Sequence, residues 1–465
     1  MDILDDARVA RITEKQRAFF SAGNTLPLRF RQEQLAKLKS AVLAREERFA
    51  DALAKDLGKC RAESYFSEIG FVLAGISHAQ KNLRKWMRPV RVRASATVFP
   101  AKNHIVRQPY GCALLIAPFN YPFQLALEPL AAALAAGNCA VLSLSELTPH
   151  TSAAVREMLG EIFPEEYVFC TEGGAENNAA LLRARFDTIF FTGSARVGRI
   201  VQRAAAEHLT PVTLELGGKS PVIVDETAKL RVACERIAWG KFLNAGQTCV
   251  APDYVFVQER VFAQFIEEMK GAIRRFYGED ARLSPDYGRI VNGRHTERLC
   301  ALLREDGASV VYGGETDKAE RFIAPTLLCP PDPAGAACMR EEIFGPLLPV
   351  FPYARIEEAL AFINAREKPL ALYVFSEDKR AAEEILRRTS SGGACINDTV
   401  SHIIDPHLPF GGVGESGTGS YHGEYGFANF THARSVLARS TRVCLRAAFP
   451  PFTEKKLRTV RRFMK

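Results

Sequence analysis

Thr188-Ile189-Phe190-Phe191-Thr192-Gly193-Ser194-Ala195-Arg196-Val197-Gly198 is a short apolar, β-rich run that passes through small residues into a helical pattern. Branched and aromatic side chains suit a buried strand, and the small residues allow a tight turn, so the reading is a strand to Phe191 and a helix from Ser194 to about His208. The same alternation repeats on both sides. Strands are expected at Cys112 to Ile116, Cys139 to Leu142, Tyr167 to Cys170 and Val212 to Leu216, with helices after Pro122 and Thr148. Apolar strands alternating with helices imply a parallel, doubly wound α/β sheet, which binds nucleotides at the carboxyl ends of its strands. A helix N-terminus opening on Gly193-Ser194-Ala195 could then approach a pyrophosphate closely.

Outward from that core the pattern changes. Residues 5–88 read as helices, with spaced apolar positions such as Leu35, Leu38, Val42 and Leu43. Between 89 and 108, Val90, Val92, Val98, Ile105 and Val106 interleave with polar residues around Pro100, which predicts a hairpin. Beyond Gly217 a second α/β unit is expected: a strand at Pro221 to Val224, a helix near 228–242, a strand at Tyr254 to Val257 and a helix from Val261 to Tyr277. Its later part carries Ala371 to Phe375 and a turn at Cys395-Ile396-Asn397-Asp398. The literal G-x-G-x-x-G at Gly412-Val413-Gly414-Glu415-Ser416-Gly417 follows Pro409 with no β-rich run close before it, so it reads as a glycine-rich active-site loop and not a dinucleotide turn.

At 465 residues the chain is long enough for two or three domains with substantial cores. The formal charge is +8, yet residues 434–465 hold ten Lys and Arg and one Glu, so the remainder is near neutral. That distribution argues against a nucleic-acid surface. Eleven cysteines without a C-x-x-C pair or zinc-like Cys/His spacing suggest a reducing compartment and no metal site. The acidic start Met1-Asp2-Ile3-Leu4-Asp5-Asp6 is unlike a secretory signal, and no apolar run approaches ~18 residues, so a cytoplasmic protein is expected.

Chemistry points to Gly240-Lys241-Phe242-Leu243-Asn244-Ala245-Gly246-Gln247-Thr248-Cys249-Val250-Ala251-Pro252, where a cysteine sits among small, polar and turn-favouring residues. Such a thiol is placed to react, whereas most cysteines are inert packing groups. Together with Leu214-Glu215-Leu216-Gly217-Gly218-Lys219-Ser220-Pro221 this stretch resembles the aldehyde dehydrogenase superfamily. So do Pro118-Phe119-Asn120-Tyr121-Pro122, Phe191-Thr192-Gly193-Ser194, Glu342-Ile343-Phe344-Gly345-Pro346 and Leu408-Pro409-Phe410-Gly411-Gly412-Val413-Gly414. The stretches Arg366 to Tyr373 and Gly419-Ser420-Tyr421-His422-Gly423 resemble its class 3 and fatty aldehyde dehydrogenase branch.

The resemblance implies the aldehyde dehydrogenase fold: a Rossmann-like parallel-sheet nucleotide domain (1–88 and 107–216), an α/β catalytic domain (217–421) and a bridging β arm (89–106 and 422–443). A basic C-terminal tail follows (444–465). It implies NAD(P)-dependent oxidation of an aldehyde, with Cys249 as nucleophile, Asn120 as oxyanion donor and Glu215 as the base that activates water. Glu342 would grip the nicotinamide ribose, and Glu146, Phe191, Thr192, Gly193, Ser194, Gly198, Leu216, Gly217 and Phe344 complete the implied cofactor positions. A homodimer is implied by the arm. By analogy with the branch the aldehyde is medium-chain, fatty or aromatic, and Tyr65, Phe119, Tyr121 and Phe410 would supply apolar walls.

Other readings of these residues stay open. Asn120 also suits a turn before Tyr-Pro, Glu215 a solvated strand end, and Glu342 a helix cap. A papain-like thiol hydrolase would need a histidine base, and none of the nine histidines sits in such a motif. A fold that has lost its cofactor and serves only in binding is the other competitor. Its one support is Ser143-Leu144-Ser145-Glu146, which stands where the family usually has Lys-Pro-Ser-Glu. The missing lysine would meet the adenosine ribose, whereas the retained Glu146 would accept hydroxyls and repel a 2′-phosphate. Weaker binding with a preference for NAD over NADP is therefore expected. In the tail, Leu457, Val460 and Met464 would share one face of a basic helix, which suits either a solvated segment or peripheral contact with an anionic membrane.

Overall fold

The computed structural model describes residues 3–442, 446 and 449–464, so parts of the expected arm and tail at 443–445, 447–448 and 465 lie outside the described residues. Five parallel strands run in the order Val212–Glu215, Thr188–Thr192, Cys112–Ile116, Cys139–Leu144 and Val168–Glu172. Cys112–Ile116, Cys139–Leu144 and Thr188–Thr192 are buried at every position. They are covered on both faces, which is why each reads as a continuous apolar run. Burying each large side chain contributes ~1.5–3 kcal/mol.

Strand order reverses between Cys112–Ile116 and Thr188–Thr192. The loops leaving those two strands carry Asn120 and Gly193, so a crevice opens where doubly wound sheets bind ligands. Local chemistry fixes the helices around it. Gln124–Ala136 is apolar on nearly all sides and buried, and it ends on Gly137 at φ 93°. Arg31, itself buried, donates to the exposed carbonyls of Ala135 and Ala136 at 3.2 and 2.7 Å and closes that helix end. Ser194 caps Ala195–Ala206 by accepting from Val197 N–H, and Asp56 accepts from the first amides of Pro149–Ile162.

A second sheet of seven strands is parallel except at one edge, in the order Val310–Tyr312, Thr326–Leu328, Leu347–Tyr353, Tyr254–Gln258, Pro221–Val224, Ala371–Phe375 and Gly393–Ile396. One expectation is corrected here. Cys395 and Ile396 close the last strand, and the turn starts at Asn397 with φ 55°. The small residues Gly392-Gly393-Ala394 carry no β signal, so only pairing with Ala371–Phe375 makes them a strand. The helix Ala175–Arg183 also goes beyond the sequence reading.

The predicted hairpin forms from Val90–Val92 and Ala101–Pro109, and Thr431–Arg439 adds antiparallel to Ala101–Pro109 over nine residues. Before it, the helix Gly423–Asn429 packs inward, with Phe427 against Trp86. The chain also returns to the first sheet at Gly417–Thr418, which pairs antiparallel with Glu215 and Leu214. The tail forms the helix Glu454–Phe463, capped by Thr453.

Candidate active site

Cys249 lies just beyond a helix that stops sharply. Leu230–Phe242 gives way to a tight turn in which Asn244 and Ala245 hold φ 52° and 50°. Asparagine tolerates that left-handed backbone; alanine does not, so the surroundings must enforce it. Gln247 does much of this. Its side chain donates to the carbonyls of Asn244 and Arg289, both at 3.0 Å, and accepts from Val291 N–H at 2.9 Å.

Asn120 leaves the neighbouring sheet and meets this turn. Its Nδ2 donates to the Gln247 carbonyl at 3.0 Å, which leaves the second amide hydrogen available. Tyr121 Oη and Thr248 Oγ1 are 2.6 Å apart, tying the two loops together one residue further on. Cys249 remains partly exposed. Burial holds its thiol well above the usual range, followed by the charges of Glu342 and Glu215, while the N–H groups of Cys249 and Val250 favour the thiolate.

Glu215 ends a strand of the first sheet, edged by Gly417. It is 2% exposed, and neither carboxyl oxygen has a hydrogen-bond partner among the described residues. Burial alone drives its pKa far upward. A carboxyl so placed binds a proton tightly once ionised, which is the property a base needs. Glu342 is pushed up to about 8, first by burial and then by Asp253, with Gly218 N–H, Lys219 and Arg298 opposing.

The expected cofactor positions fall into two groups. A Cβ on Gly217 would come within 2.1 Å of Glu342 Oε2, and one on Gly198 within 2.9 Å of Leu216. Gly193 N–H donates to the Glu215 carbonyl at 3.0 Å, and Thr192 Oγ1 is buried without a partner among the described residues. Gly193, Gly198 and Gly217, beside Thr192, Leu216 and Glu342, allow the close approach that a dinucleotide would need, and Ser194 next to them is exposed. Phe191 is buried beneath them, and Phe344 stands at φ 48° with its ring 5.8 Å from Phe119. Glu146 lies apart, exposed just past the end of Cys139–Leu144. Ser143 is fully buried and donates to Asn178 Oδ1 at 2.6 Å.

On the other side of Cys249 a pocket of ≈ 600 Å³, open mouth included, is lined by Phe66, Phe71, Leu125, Trp239, Ile404 and Phe410 among others. Tyr121 and Phe410 are walls of it, as expected; Tyr65 and Phe119 are not. Tyr65 is 46% exposed, and Phe119 packs on Phe344 and His295. Residues the sequence does not reveal also line it: Trp239 comes from a helix that reads as ordinary packing, and Ile404 from a turn that carries no pattern. His422 lines it too, kept neutral by burial, with its pKa down to about 3. The glycine-rich loop does not join a strand to a helix as a dinucleotide turn does: Gly414–Ser416 is a single 3-10 turn that runs into the two-residue strand Gly417–Thr418.

Two mainly parallel sheets flanked by helices, with a partly exposed cysteine lining an apolar pocket, define an α/β fold with an enzyme-like site. The chain belongs to the aldehyde dehydrogenase family, whose model matches residues 3–436, and is an NAD(P)-dependent enzyme of aldehyde oxidation. It is 49% identical to 4,4'-diaponeurosporen-aldehyde dehydrogenase of Staphylococcus aureus over 97% of each chain. It is 43% identical to the dimeric NADP-preferring aldehyde dehydrogenase of Rattus norvegicus over 96% of this chain and 98% of that one. A substrate-bound structure of Staphylococcus aureus AldH superposes with a TM-score of 0.96 at 47% identity, covering 98% and 99% of the two chains. Class 3-like relatives thus fit the branch read from the sequence.

Proposed function

We propose that this enzyme oxidises apolar aldehydes, medium- to long-chain or aromatic, to carboxylic acids through a covalent intermediate on Cys249. The observation that carries the reading is the partly exposed Cys249, which lines the apolar pocket and lies within reach of the Glu342 and Glu215 charges. Cys249 gives up its thiol proton to solvent, the thiolate Sγ bonds to the carbonyl carbon, and the carbonyl π pair moves to oxygen as the thiohemiacetal oxyanion. The oxyanion is held by the free Nδ2–H of Asn120 and the backbone N–H of Cys249. Bound NAD(P) would lie along Thr192 to Gly198 with its ribose at Glu342, and it supplies the hydride acceptor. Glu215 then takes a proton from the water that hydrolyses the thioester. The staphylococcal relative, named for 4,4'-diaponeurosporen-aldehyde, is consistent with such a substrate.

NAD is the preferred cofactor in this reading. Ser143 brings no charge to the adenosine end and Glu146 brings a negative one, although a relative is named NADP-preferring. The arm pairs two copies, a view supported by exposed Val90, Val92, Phe99 and Leu437 on its two outer strands and turn. The tail touches anionic membrane: Phe452, Leu457 and Met464 are exposed beside its basic residues. No described helix is long and apolar enough to cross a membrane.

Reduced-cofactor absorbance with aldehydes from short aliphatic to long-chain and aromatic tests the substrate reading. kcat/KM should rise with apolar size and be higher with NAD. A profile favouring short polar aldehydes would overturn it. Equal binding of anionic vesicles by the full chain and a chain ending at Pro451 would remove the membrane contact.

A further inference from the structure

A buried charged group lies under the Asn120 loop, contributed by the N-terminal helices. Lys59 and Glu68 pair at 2.5 Å with both side chains fully buried. Glu68 sits in a π-helical turn, Tyr65–Ile69, which follows the short helix Arg61–Ser64. Such turns recur at functional sites because one extra residue re-aims the side chains that follow. Placing two ions here costs desolvation, and replacing such a pair by apolar side chains is often neutral or stabilising. Its contacts therefore matter more than its energy.

Those contacts converge on one loop. Lys59 Nζ donates to the Asn120 carbonyl at 3.3 Å and lies 4.0 Å from the centre of the Tyr121 ring. The second oxygen of Glu68 accepts from the N–H groups of Phe123 and Gln124 at 2.9 and 3.0 Å, fixing the start of the helix that follows the loop. From the other side, Asn244 Nδ2 donates to the same Asn120 carbonyl at 2.7 Å, and Glu63 accepts Asn244 N–H at 2.9 Å. The Asn120 carbonyl and the first amides after the loop are thus held by Lys59, Glu68 and Asn244.

We propose that Lys59 and Glu68 are positioning residues for the reaction, setting the Asn120 amide against the Cys249 turn without touching substrate themselves. The inference rests on the reading of Asn120 as oxyanion donor. A displacement of the order of 1 Å in such a group costs about a hundredfold in rate, so the pair acts on kcat and not on KM.

The test is a double-mutant cycle in the full-length enzyme, with Lys59→Met, the charge-free Lys59→Met/Glu68→Gln, Asn120→Ala and their combinations. The Gln at 68 keeps an acceptor for the two amides, so that variant guards against loss of fold. kcat, KM, melting temperature and the rate at which iodoacetamide alkylates Cys249 are measured for each. Lys59→Met and the double variant should lower kcat about ten- to hundredfold with KM and alkylation unchanged. In the Asn120→Ala background the same changes should add little, because interactions acting through one group are not additive. A wild-type kcat in the folded double variant would overturn the proposal, as would an equal loss with and without Asn120. If Asn120→Ala alone keeps wild-type kcat, the oxyanion reading falls, and the proposal with it.

Discussion

The two ends of the cofactor crevice are built on different terms. At the proposed reacting end, Glu215 is buried without a partner among the described residues, Cys249 is held above its usual pKa, and Asn244, Ala245 and Phe344 stand in left-handed backbone. At the adenosine end, Ser194 and Glu146 are exposed, and Ser143 is satisfied by Asn178. Bond making needs groups kept from water and from one another's hydrogen bonds, and the fold carries their cost. Gripping a nucleoside needs backbone amides and a surface charge, which many side chains can supply. In the proposed reading that difference makes Ser143, where the family usually has lysine, tolerable in a way that loss of Cys249, Asn120 or Glu215 would not be.

The sharpest break would come at the reacting end. Cys249→Ala should abolish turnover with every aldehyde, by more than a thousandfold in kcat, as followed by reduced-cofactor absorbance. Residual steady-state oxidation would mean that the covalent intermediate forms elsewhere. Glu215→Gln should keep a rapid first turnover and slow the steady state on the order of a hundredfold. Because burial raises the Glu215 pKa, wild-type thioester hydrolysis should quicken as pH rises through that value, and the variant should lose this limb. An unchanged pH profile in stopped flow would assign the base to another group.

The adenosine end should respond mildly. Ser143→Lys should tighten NADP several-fold and NAD less, as read by fluorescence titration, because a cation there offsets Glu146. Equal gains for both cofactors would show that position 143 does not sense the 2′ substituent. A loss for both would mean that burying lysine beside Asn178 outweighs any contact with cofactor.

The same contrast decides what can be read without coordinates. Strands such as Cys112–Ile116, Pro221–Val224 and Ala371–Phe375 are legible to the residue, because burial on both faces leaves an unbroken apolar run. Gly393–Ile396 is not, since its propensity is weak and its partner strand supplies the reason for extension. Cys249, Glu215 and Asn120 stand out because glycine, proline and polar neighbours surround them. Lys59, Glu63 and Glu68 do not. Charged residues in a helical stretch look like a solvated face, and the π turn that gathers them shifts the phase that a 3.6-residue period would assign. Tyr65 illustrates the same shift: close in sequence to pocket residues Phe66 and Phe71, it faces solvent.

The two-residue strand Gly417–Thr418 beside Glu215 sets the order in which this enzyme can become active. As the chain leaves the ribosome, the five parallel strands of the first sheet are all available once residue 215 has emerged. The edge next to the carboxylate stays open until two hundred further residues, and with them the entire second sheet, have been synthesised. N-terminal units fold early, whereas pairings this distant in sequence form last. A chain stopped after the first sheet therefore lacks Glu342, Cys249 and the strand beside Glu215, and the proposed site is complete only with the last tenth of the sequence.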